Sequence, residues 1–313
     1  MRRAPWLLAC LAVCAGCAPL ARRARRPRFV FVTCAVDAPF FKPVKKGMRD
    51  AARRMDVDCE FIGTEGVDPE AQAAMVRRAV ADGCDGLAVN LIDPKAFDEV
   101  VQEARDKGIP VVAFNVDDHA TPNARMSAVC QNLYQAGRSM GKAALEFIPS
   151  NSQVLMTMHD EGVSALEDRL RGAQEVLKTQ GVTWTVVITG NDSQKGAEVI
   201  AQALKANPKI RYVLGTGQSD TEAAGLTIEK HFAGQGYASA GFDLSPETLR
   251  LVQAGIIRFT IDQQPYVQGF YPVVQLALHC RYGLMPSDID AGAAFITREN
   301  VESVMALSEK EYR

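Results

Sequence analysis

The sequence has no large excess of charge of either sign. Its 35 lysines and arginines are balanced by 37 aspartates and glutamates, which leaves a net charge of −2. Proteins that bind nucleic acid through bulk charge carry a basic excess, so the composition does not favour a DNA or RNA partner. The 24 glycines and 15 prolines follow no collagen-like period, and 47% of the residues are hydrophobic, which excludes a fibrous or disordered chain. A chain of 313 residues with this composition predicts two globular domains.

Motifs of the common enzyme classes are also missing. The chain has no G-x-S-x-G nucleophile elbow, no G-x-x-x-x-G-K-[ST] phosphate-binding loop and no H-E-x-x-H zinc motif. Gly215-Thr216-Gly217 begins a dinucleotide-binding pattern, but Asp220 stands where that pattern needs its third glycine. We interpret the cluster His159-Asp160-Glu161 as a solvated loop, because no nucleophile accompanies it. We therefore expect no enzymatic activity, no cofactor and no metal ion.

The first residues have the pattern of an export signal. Arg2 and Arg3 precede an apolar run from Trp6 to Ala15. This run is shorter than the roughly 20 apolar residues that a membrane-spanning helix needs. A basic start, a short apolar run and small residues after it are typical of a secretory signal peptide.

The end of this segment resembles a bacterial lipobox. The residues Ala15-Gly16-Cys17 match it, although Cys14 stands where leucine is usual. We expect a signal peptide over 1–17, lipidation of Cys17 and a basic tether over 18–27. A plain cleaved signal stays open as an alternative. An uncleaved anchor also stays open, because arginines follow this segment closely and basic flanks prefer the cytoplasmic side.

Five cysteines lie beyond this segment, namely Cys34, Cys59, Cys84, Cys130 and Cys280. An odd number of cysteines cannot pair completely within one chain. Cys34, Cys59 and Cys84 lie in or beside strand-like apolar runs. We predict that these three are buried free thiols that act as small hydrophobic side chains.

Apolar runs alternate with segments of helical periodicity along the rest of the chain. We predict strands at 29–32, 59–62, 86–89, 109–114, 154–158, 184–188, 211–214, 237–241, 258–261 and 293–297. Helices are predicted over 44–55, from Pro69 and from Asp93-Pro94, and then near 165–179, 193–206, 220–232, 246–254 and 266–280. This alternation predicts an α/β fold with two doubly wound parallel-sheet lobes.

Polar side chains follow most of the predicted strands at their carboxyl ends. They are Thr33, Asn90, Asn115, Asp117, Gln131, His159, Gln218, Ser219, Asp220, Asp243 and Gln263. Ligands of open α/β sheets bind at this edge. Amide and carboxylate groups suit ligand hydroxyls, and the aromatic pair Phe40-Phe41 suits the apolar face of a sugar ring. Each of these residues singly is also common in turns, so it is the joint pattern that predicts a binding site.

The mature chain resembles the type I periplasmic binding proteins of ABC importers, in the ribose/galactose-binding branch. The resemblance covers about residues 28–300. It rests on the order of several short motifs, which are Ala38-Pro39-Phe40-Phe41, Gly108-Ile109-Pro110-Val111-Val112, Arg169-Leu170-Arg171-Gly172, Gly241-Phe242-Asp243 and Thr260-Ile261-Asp262-Gln263-Gln264-Pro265. It implies two lobes joined by three strand crossings, with the ligand in the cleft between them.

The resemblance also implies roles for particular side chains. Its ligand-binding positions correspond here to Phe40, Phe41, Asn115, Asp117, Arg169, Gln218, Asp220, Asp243 and Gln263. Arg169 would fork onto sugar oxygens, and its replacement by alanine is expected to weaken sugar binding at least tenfold in a protein that still folds.

Three positions depart from the pattern of ribose binders. Ala38 replaces a hydrogen-bonding residue, Val116 stands where arginine is frequent, and Asn191 replaces an aromatic wall. These departures argue against ribose itself and leave a small sugar or polyol as the expected ligand.

The implied function is that of an exported solute-binding protein. It would capture a small sugar or polyol and deliver it to the membrane subunits of an ABC permease. The alternative is a sensor that presents the ligand to a chemoreceptor or a kinase. We expect a monomer without a nucleic-acid partner, held at a bacterial membrane only through its lipid. The expected lobes are 28–131 with 264–292, and 132–263 with 293–313.

Overall fold

The computed structural model describes residues 25–93, 95–117 and 123–313. The expected signal peptide, Cys17 and Pro94 lie outside the described residues. The strands are β1 (Arg28–Thr33), β2 (Asp58–Gly63), β3 (Gly86–Val89), β4 (Val111–Asn115), β5 (Ser127–Cys130), β6 (Gln153–Met158), β7 (Thr183–Ile188), β8 (Tyr212–Gly215), β9 (Ala238–Phe242), β10 (Ile257–Asp262), β11 (Ile289–Asp290) and β12 (Ala294–Thr297). The helices are α1 (Phe41–Met55), α2 (Pro69–Ala81), α3 (Asp98–Asp106), α4 (Leu133–Ala144), α5 (Ser164–Lys178), α6 (Ser193–Ala206), α7 (Gln218–His231), α8 (Pro246–Gln253), α9 (Pro265–Tyr282) and α10 (Val301–Glu309).

The strands form two six-stranded sheets with matching topology. One sheet has the order β2-β1-β3-β4-β5-β11, and the other has the order β7-β6-β8-β9-β10-β12. All pairs are parallel except that of β10 with β12. The predicted α/β class with two doubly wound parallel lobes is confirmed. We call the lobe with β1 the N-lobe and the lobe with β6 the C-lobe.

Strand β1 shows why the continuous apolar runs become central strands. Val30 and Val32 face one hydrophobic cluster of the N-lobe, and Phe29 and Phe31 face the other. All four side chains are at most 1% exposed. A strand covered by helices on both faces needs apolar residues at every position, which is the pattern in the sequence.

The chain crosses between the two sheets three times. It crosses after β5 at Gln131, after β10 at Gln263-Gln264, and between β11 and β12 at 291–293. The Gln131 side-chain amide donates to the Gly292 carbonyl at 2.8 Å, and that of Gln264 donates to the Ala291 carbonyl at 2.8 Å. The crossings are therefore bonded to one another.

Each lobe contains one helix pair in which glycine allows backbone contact. A Cβ atom on Gly137 of α4 would lie 2.1 Å from the Arg169 carbonyl oxygen of α5. In the N-lobe, a Cβ on Gly269 of α9 would lie 1.9 Å from the Val44 carbonyl oxygen of α1. The first pair fixes the backbone of Arg169, which the cleft uses.

The structure confirms every predicted strand and corrects the start of one predicted helix. Asp68 caps α2 as predicted, accepting the Ala71 N–H at 2.9 Å. Helix α3 begins at Asp98 and not at Asp93-Pro94, because the Asp93 carboxylate accepts the N–H groups of residues 95 and 96 and caps a separate turn. The short strands β5 and β11 and the helices α4 and α10 were not predicted.

The five cysteines that the structure describes are free thiols, as predicted for three of them. Cys34 and Cys84 are buried, whereas Cys59 is only half-buried at the start of β2. The part of the tether that the structure describes is bound to the N-lobe, where Arg25 pairs with Asp85 at 2.9 Å and Arg26 pairs with Asp56 at 2.7 Å. No helix among the described residues is long and apolar enough to cross a membrane.

Besides the three crossings of the chain, side-chain contacts of the last three residues also connect the two lobes. Helix α10 packs on α8 and β12 of the C-lobe. The Tyr312 ring then lies 5.2 Å from the Tyr266 ring and 4.7 Å from the Lys46 amine, both of which belong to the N-lobe. Arg313 pairs with Asp262, a carboxylate at the second crossing that is 1% exposed. Burial raises the pKa of Asp262, and the Arg313 guanidinium opposes that rise.

Replacing Arg313 by alanine should destabilise the protein at neutral pH. It leaves the buried Asp262 without a cation, so we expect the free energy of unfolding to fall by about 1–3 kcal/mol. Because the pKa of Asp262 is raised in the folded state, its ionisation reduces the stability of the protein as the pH rises from the ordinary aspartate value of 3.8 through the folded-state pKa. The loss of stability caused by Arg313→Ala should therefore shrink as the pH falls toward 3.8. Urea unfolding at several pH values measures it, with the exposed Lys310→Ala as the control; equal stability of the two variants at pH 7 would contradict the assignment.

Candidate functional site

A cleft of about 310 Å³ lies between the lobes at the carboxyl ends of both sheets. This volume is at the small end of the roughly 300–1,000 Å³ usual for ligand pockets, and it suits a single small molecule. Of the predicted site residues, the structure brings together on its lining Phe40, Phe41, Asn115, Arg169, Gln218, Asp243 and Gln263. Asp117 and Asp220 are not among the lining residues.

Asn115 and Asp243 occupy matching positions in the two lobes. Asn115 is the last residue of β4 and Asp243 directly follows β9, which are the fourth strands of their sheets in spatial order. Both residues have a left-handed backbone, with φ of 64° and 70°. Asn and Asp adopt this conformation more readily than other residues with side chains. The two side chains thereby turn toward each other at the floor of the cleft.

Gln263 connects these two residues at the second crossing. Its amide nitrogen donates to the Asp243 carboxylate at 2.7 Å, and its amide oxygen accepts from Asn115 at 3.3 Å. Asn115 donates its second hydrogen to Gln268 at 3.1 Å. With both N–H bonds of Asn115 used, the Oδ1 atom is the part left to accept a bond from a ligand.

Arg169 supplies a buried cation to the C-lobe side of the floor. Its guanidinium donates to the Gln131 side-chain oxygen at 2.9 Å and to the Thr216 carbonyl at 2.9 Å, and it lies 4.2 Å over the Phe242 ring. Asp243 is 3.5 Å away. These contacts leave one N–H of the fork without a protein partner among the described residues, so Arg169 can still donate to a ligand oxygen.

Burial acts on both charges of this pair. It lowers the pKa of Arg169, and it raises the pKa of Asp243 against the opposing effect of the nearby guanidinium. Removing either partner leaves a buried charge uncompensated, which is strongly destabilising. The alanine variant of Arg169 is therefore expected to lose stability as well as sugar affinity, which the sequence did not indicate.

Phe40 and Phe41 form the aromatic wall on the N-lobe side, with their rings 5.2 Å apart in an edge-to-face arrangement. Phe41 is only 4% exposed and also packs on Phe61 within the hydrophobic core. Phe40 is half-buried and is therefore the ring that a ligand can contact over a larger area.

A second wall of the cleft is apolar and is formed by residues of both lobes. Val116 and Ile92 of the N-lobe belong to one buried cluster with Val163 and Leu166 of the C-lobe. The backbone N–H of Ser164 donates to the Ile92 carbonyl at 3.2 Å. Cys34 contributes to the same wall, and burial raises the pKa of its thiol to about 11, which keeps it uncharged. The sequence did not predict this wall, although Val116 was noted as a departure from the pattern of ribose binders.

Two predicted ligand residues have structural partners instead. Asp117 is 2% exposed and pairs with Arg125 beside β5. Asp220 is fully buried and accepts bonds from the N–H groups of Thr216 and Gly217, so it fixes the start of α7. Both follow a strand end, and the sequence could not distinguish a side chain that turns into the cleft from one that turns back onto its own loop.

Several further lining residues lay outside the predicted site. They are Asp37, Glu65, Asn90, His159, Asn191 and Ser219. Asn90 and Ser219 were visible as polar residues after strands. His159 was interpreted as part of a solvated loop, yet it lies against Asp220 at 3.1 Å on the cleft. Among the described residues, no group of three or more His, Cys, Asp or Glu side chains could hold a metal ion.

Two sheets of matching topology, three bonded crossings and a polar-floored cleft between the lobes define the class of two-lobed α/β binding proteins. The chain belongs to the periplasmic binding protein family, since the model described as "Periplasmic binding protein domain" matches residues 29–283. Its relatives and its fold place it among the type I proteins of the ribose/xylose branch.

The comparisons give the following similarities. The chain is 30% identical over 301 residues to the xylose/arabinose-binding protein XylF of Sulfolobus acidocaldarius, covering 91% of this chain and 74% of that protein. It is 22% identical to the ribose import binding protein RbsB of Haemophilus influenzae, covering 84% and 89%. A carbohydrate transporter of Acidothermus cellulolyticus, solved in complex with myo-inositol, is similar with a TM-score of 0.81 and 27% identity, covering 92% and 100%.

Replacing Gly137 by alanine should disturb the support of Arg169. The added Cβ would lie 2.1 Å from the Arg169 carbonyl oxygen, so α4 and α5 must separate. We expect the free energy of unfolding to fall by about 1–3 kcal/mol, as for other overpacked sites. Urea unfolding measures the change. Gly66→Ala is the control, since its Cβ meets no atom within 4 Å and should leave stability nearly unchanged. An unfolding midpoint of Gly137→Ala equal to that of the wild type would rule out the close approach.

Proposed function

We propose that this protein captures a monosaccharide or small polyol in the cleft and closes around it. The observation that carries the proposal is the floor of the cleft, where Asn115 of one lobe and Arg169 with Asp243 of the other are joined through Gln263. A ligand that bonds to both sides gains contacts only when the lobes are together. It therefore favours the closed form by its differential affinity, which is the condition for ligand-driven closure.

The chemistry of the lining supports a neutral hydroxylated ligand. The Asn115 oxygen and the Asp243 carboxylate accept hydrogen bonds, the Arg169 fork donates one, and Phe40 offers an apolar face. A sugar hydroxyl both donates and accepts, so it can match either type of partner. The apolar wall beside Val116 suits a part of the ligand that carries no hydroxyl.

Binding should be measurable with the sugars of the named relatives. We expect D-xylose, L-arabinose, D-ribose or myo-inositol to bind the wild type in isothermal calorimetry. Asp243→Asn should weaken binding about 10- to 100-fold, because a bond to a charged group contributes roughly 1.5–3 kcal/mol. The exposed Asp106→Asn is the control and should bind as the wild type does. No heat with any member of the panel, or an unchanged affinity of Asp243→Asn, would contradict the proposal.

We propose further that the loaded, monomeric protein delivers its ligand to the membrane subunits of an ABC permease. Its family and the lack of catalytic motifs support this role. Uptake of the radiolabelled sugar should be lost in a strain without this protein and restored by its gene. Undiminished uptake, combined with loss of a sugar-induced response, would favour the alternative of a sensor for a chemoreceptor or a kinase.

An exported, lipid-anchored location completes the proposal. The apolar run before Cys17 supports it, and the binding of Arg25 and Arg26 to N-lobe carboxylates gives part of the basic segment a role in the folded protein. Radiolabelled palmitate should be incorporated by the wild type and not by Cys17→Ala. Equal labelling of both would rule out Cys17 as the lipidated residue.

A further inference from the structure

His159 is a polar residue of the cleft that the floor network does not use. It follows β6 directly, lines the cleft and has a side chain that is 22% exposed. Its Nδ1 atom lies 3.1 Å from Oδ1 of Asp220. The state of this ring decides whether it offers the ligand a donor or an acceptor.

The surroundings of Asp220 select one tautomer of the neutral His159 ring. The carboxylate is fully buried and already accepts bonds from the Thr157 hydroxyl at 3.0 Å and from the backbone N–H groups of Thr216 at 2.7 Å and Gly217 at 3.0 Å. Since three neighbours of Asp220 donate to it, the carboxylate also acts as an acceptor toward the fourth neighbour, the Nδ1 atom of His159. In the neutral ring the proton therefore lies on Nδ1 and is donated to Asp220, and in this tautomer Nε2 keeps a free electron pair.

Gly217 fixes the orientation of the ring. A Cβ atom at this position would lie 2.5 Å from Cε1 and 2.6 Å from Nδ1 of His159. The edge of the ring that carries these two atoms is thus held against the loop before α7. His159 lines the cleft, and no hydrogen bond from a described residue to its Nε2 atom is present.

We propose that Nε2 of His159 accepts a hydrogen bond from one ligand hydroxyl and so helps to determine which sugar the cleft selects. Asp220 is a positioning residue that acts through His159. This inference rests on the proposed function, and it adds an acceptor at the end of β6 to the floor formed by Asn115, Arg169 and Asp243. A sugar that lacks the matching hydroxyl leaves this acceptor unpaired and binds more weakly.

The test uses His159→Asn, because asparagine places an amide near the Nδ1 position and keeps a donor for Asp220 while it removes Nε2. We expect the affinity for D-xylose, or for L-arabinose, D-ribose or myo-inositol if one of these binds more tightly, to fall about 3- to 10-fold. The thermal midpoint should stay close to that of the wild type. His279→Asn is the matched control, since the Nδ1 atom of His279 bonds to the Leu284 carbonyl at 3.0 Å away from the cleft.

Monodeoxy forms of the same ligand separate direct contact from a structural effect. In the wild type, removal of the hydroxyl that faces His159 should weaken binding, and in His159→Asn the same removal should have no further effect. An unchanged affinity of the variant would overturn the proposal. So would a weakened variant that keeps the full penalty for every deoxy form, since that pattern reports a structural role. If the wild type binds no member of the panel, the proposed function fails and this inference fails with it.

Discussion

The architecture depends on a continuous set of buried hydrogen bonds that runs through the three crossings between the lobes. Gln131 joins Arg169 to the third crossing, and Gln263 joins Asn115 to Asp243. These side chains are nearly inaccessible, so each unpaired polar atom among them would cost free energy. The same bonds that hold the three crossings together therefore fix the geometry of the cleft floor.

A floor of this kind leaves few groups for a ligand, and each has a defined role. The amide hydrogens of Asn115 are used within the protein, which leaves its oxygen as an acceptor. Most of the Arg169 donors are used as well, so a ligand meets one remaining N–H beside a carboxylate. Preorganisation of this sort lowers the entropy that binding must overcome. It also makes the site residues contribute to stability, so variants of the floor change folding and binding together.

The sequence predicted the fold well because its main signals are local. The continuous apolar run of β1, the cap at Asp68 and the polar residues after the strands each depend on a few neighbouring residues. The prediction that α3 begins at Asp93-Pro94 was wrong, because Asp93 caps a turn that only the structure distinguishes from a helix. The strands β5 and β11 have only four and two residues, too few for a periodic pattern, and β11 pairs with β5 from a distant part of the chain.

The site was predictable at the level of strand ends and not at the level of side-chain direction. Asn115 and Asp117 lie two residues apart at the end of β4, yet the first lines the cleft and the second pairs with Arg125. Asp220 and His159 show the reverse, since the expected ligand residue supports the loop and the expected loop residue lines the cleft. These outcomes depend on tertiary partners such as Gly217, which sequence spacing does not encode.

The most direct test of the central claim is a crystal structure of the protein with a bound sugar from the panel. The account predicts a single sugar between the lobes, with hydroxyls within about 3.2 Å of both the Asn115 side-chain oxygen and the Asp243 carboxylate. A sugar that contacts only one lobe, or that lies outside the cleft, would contradict it.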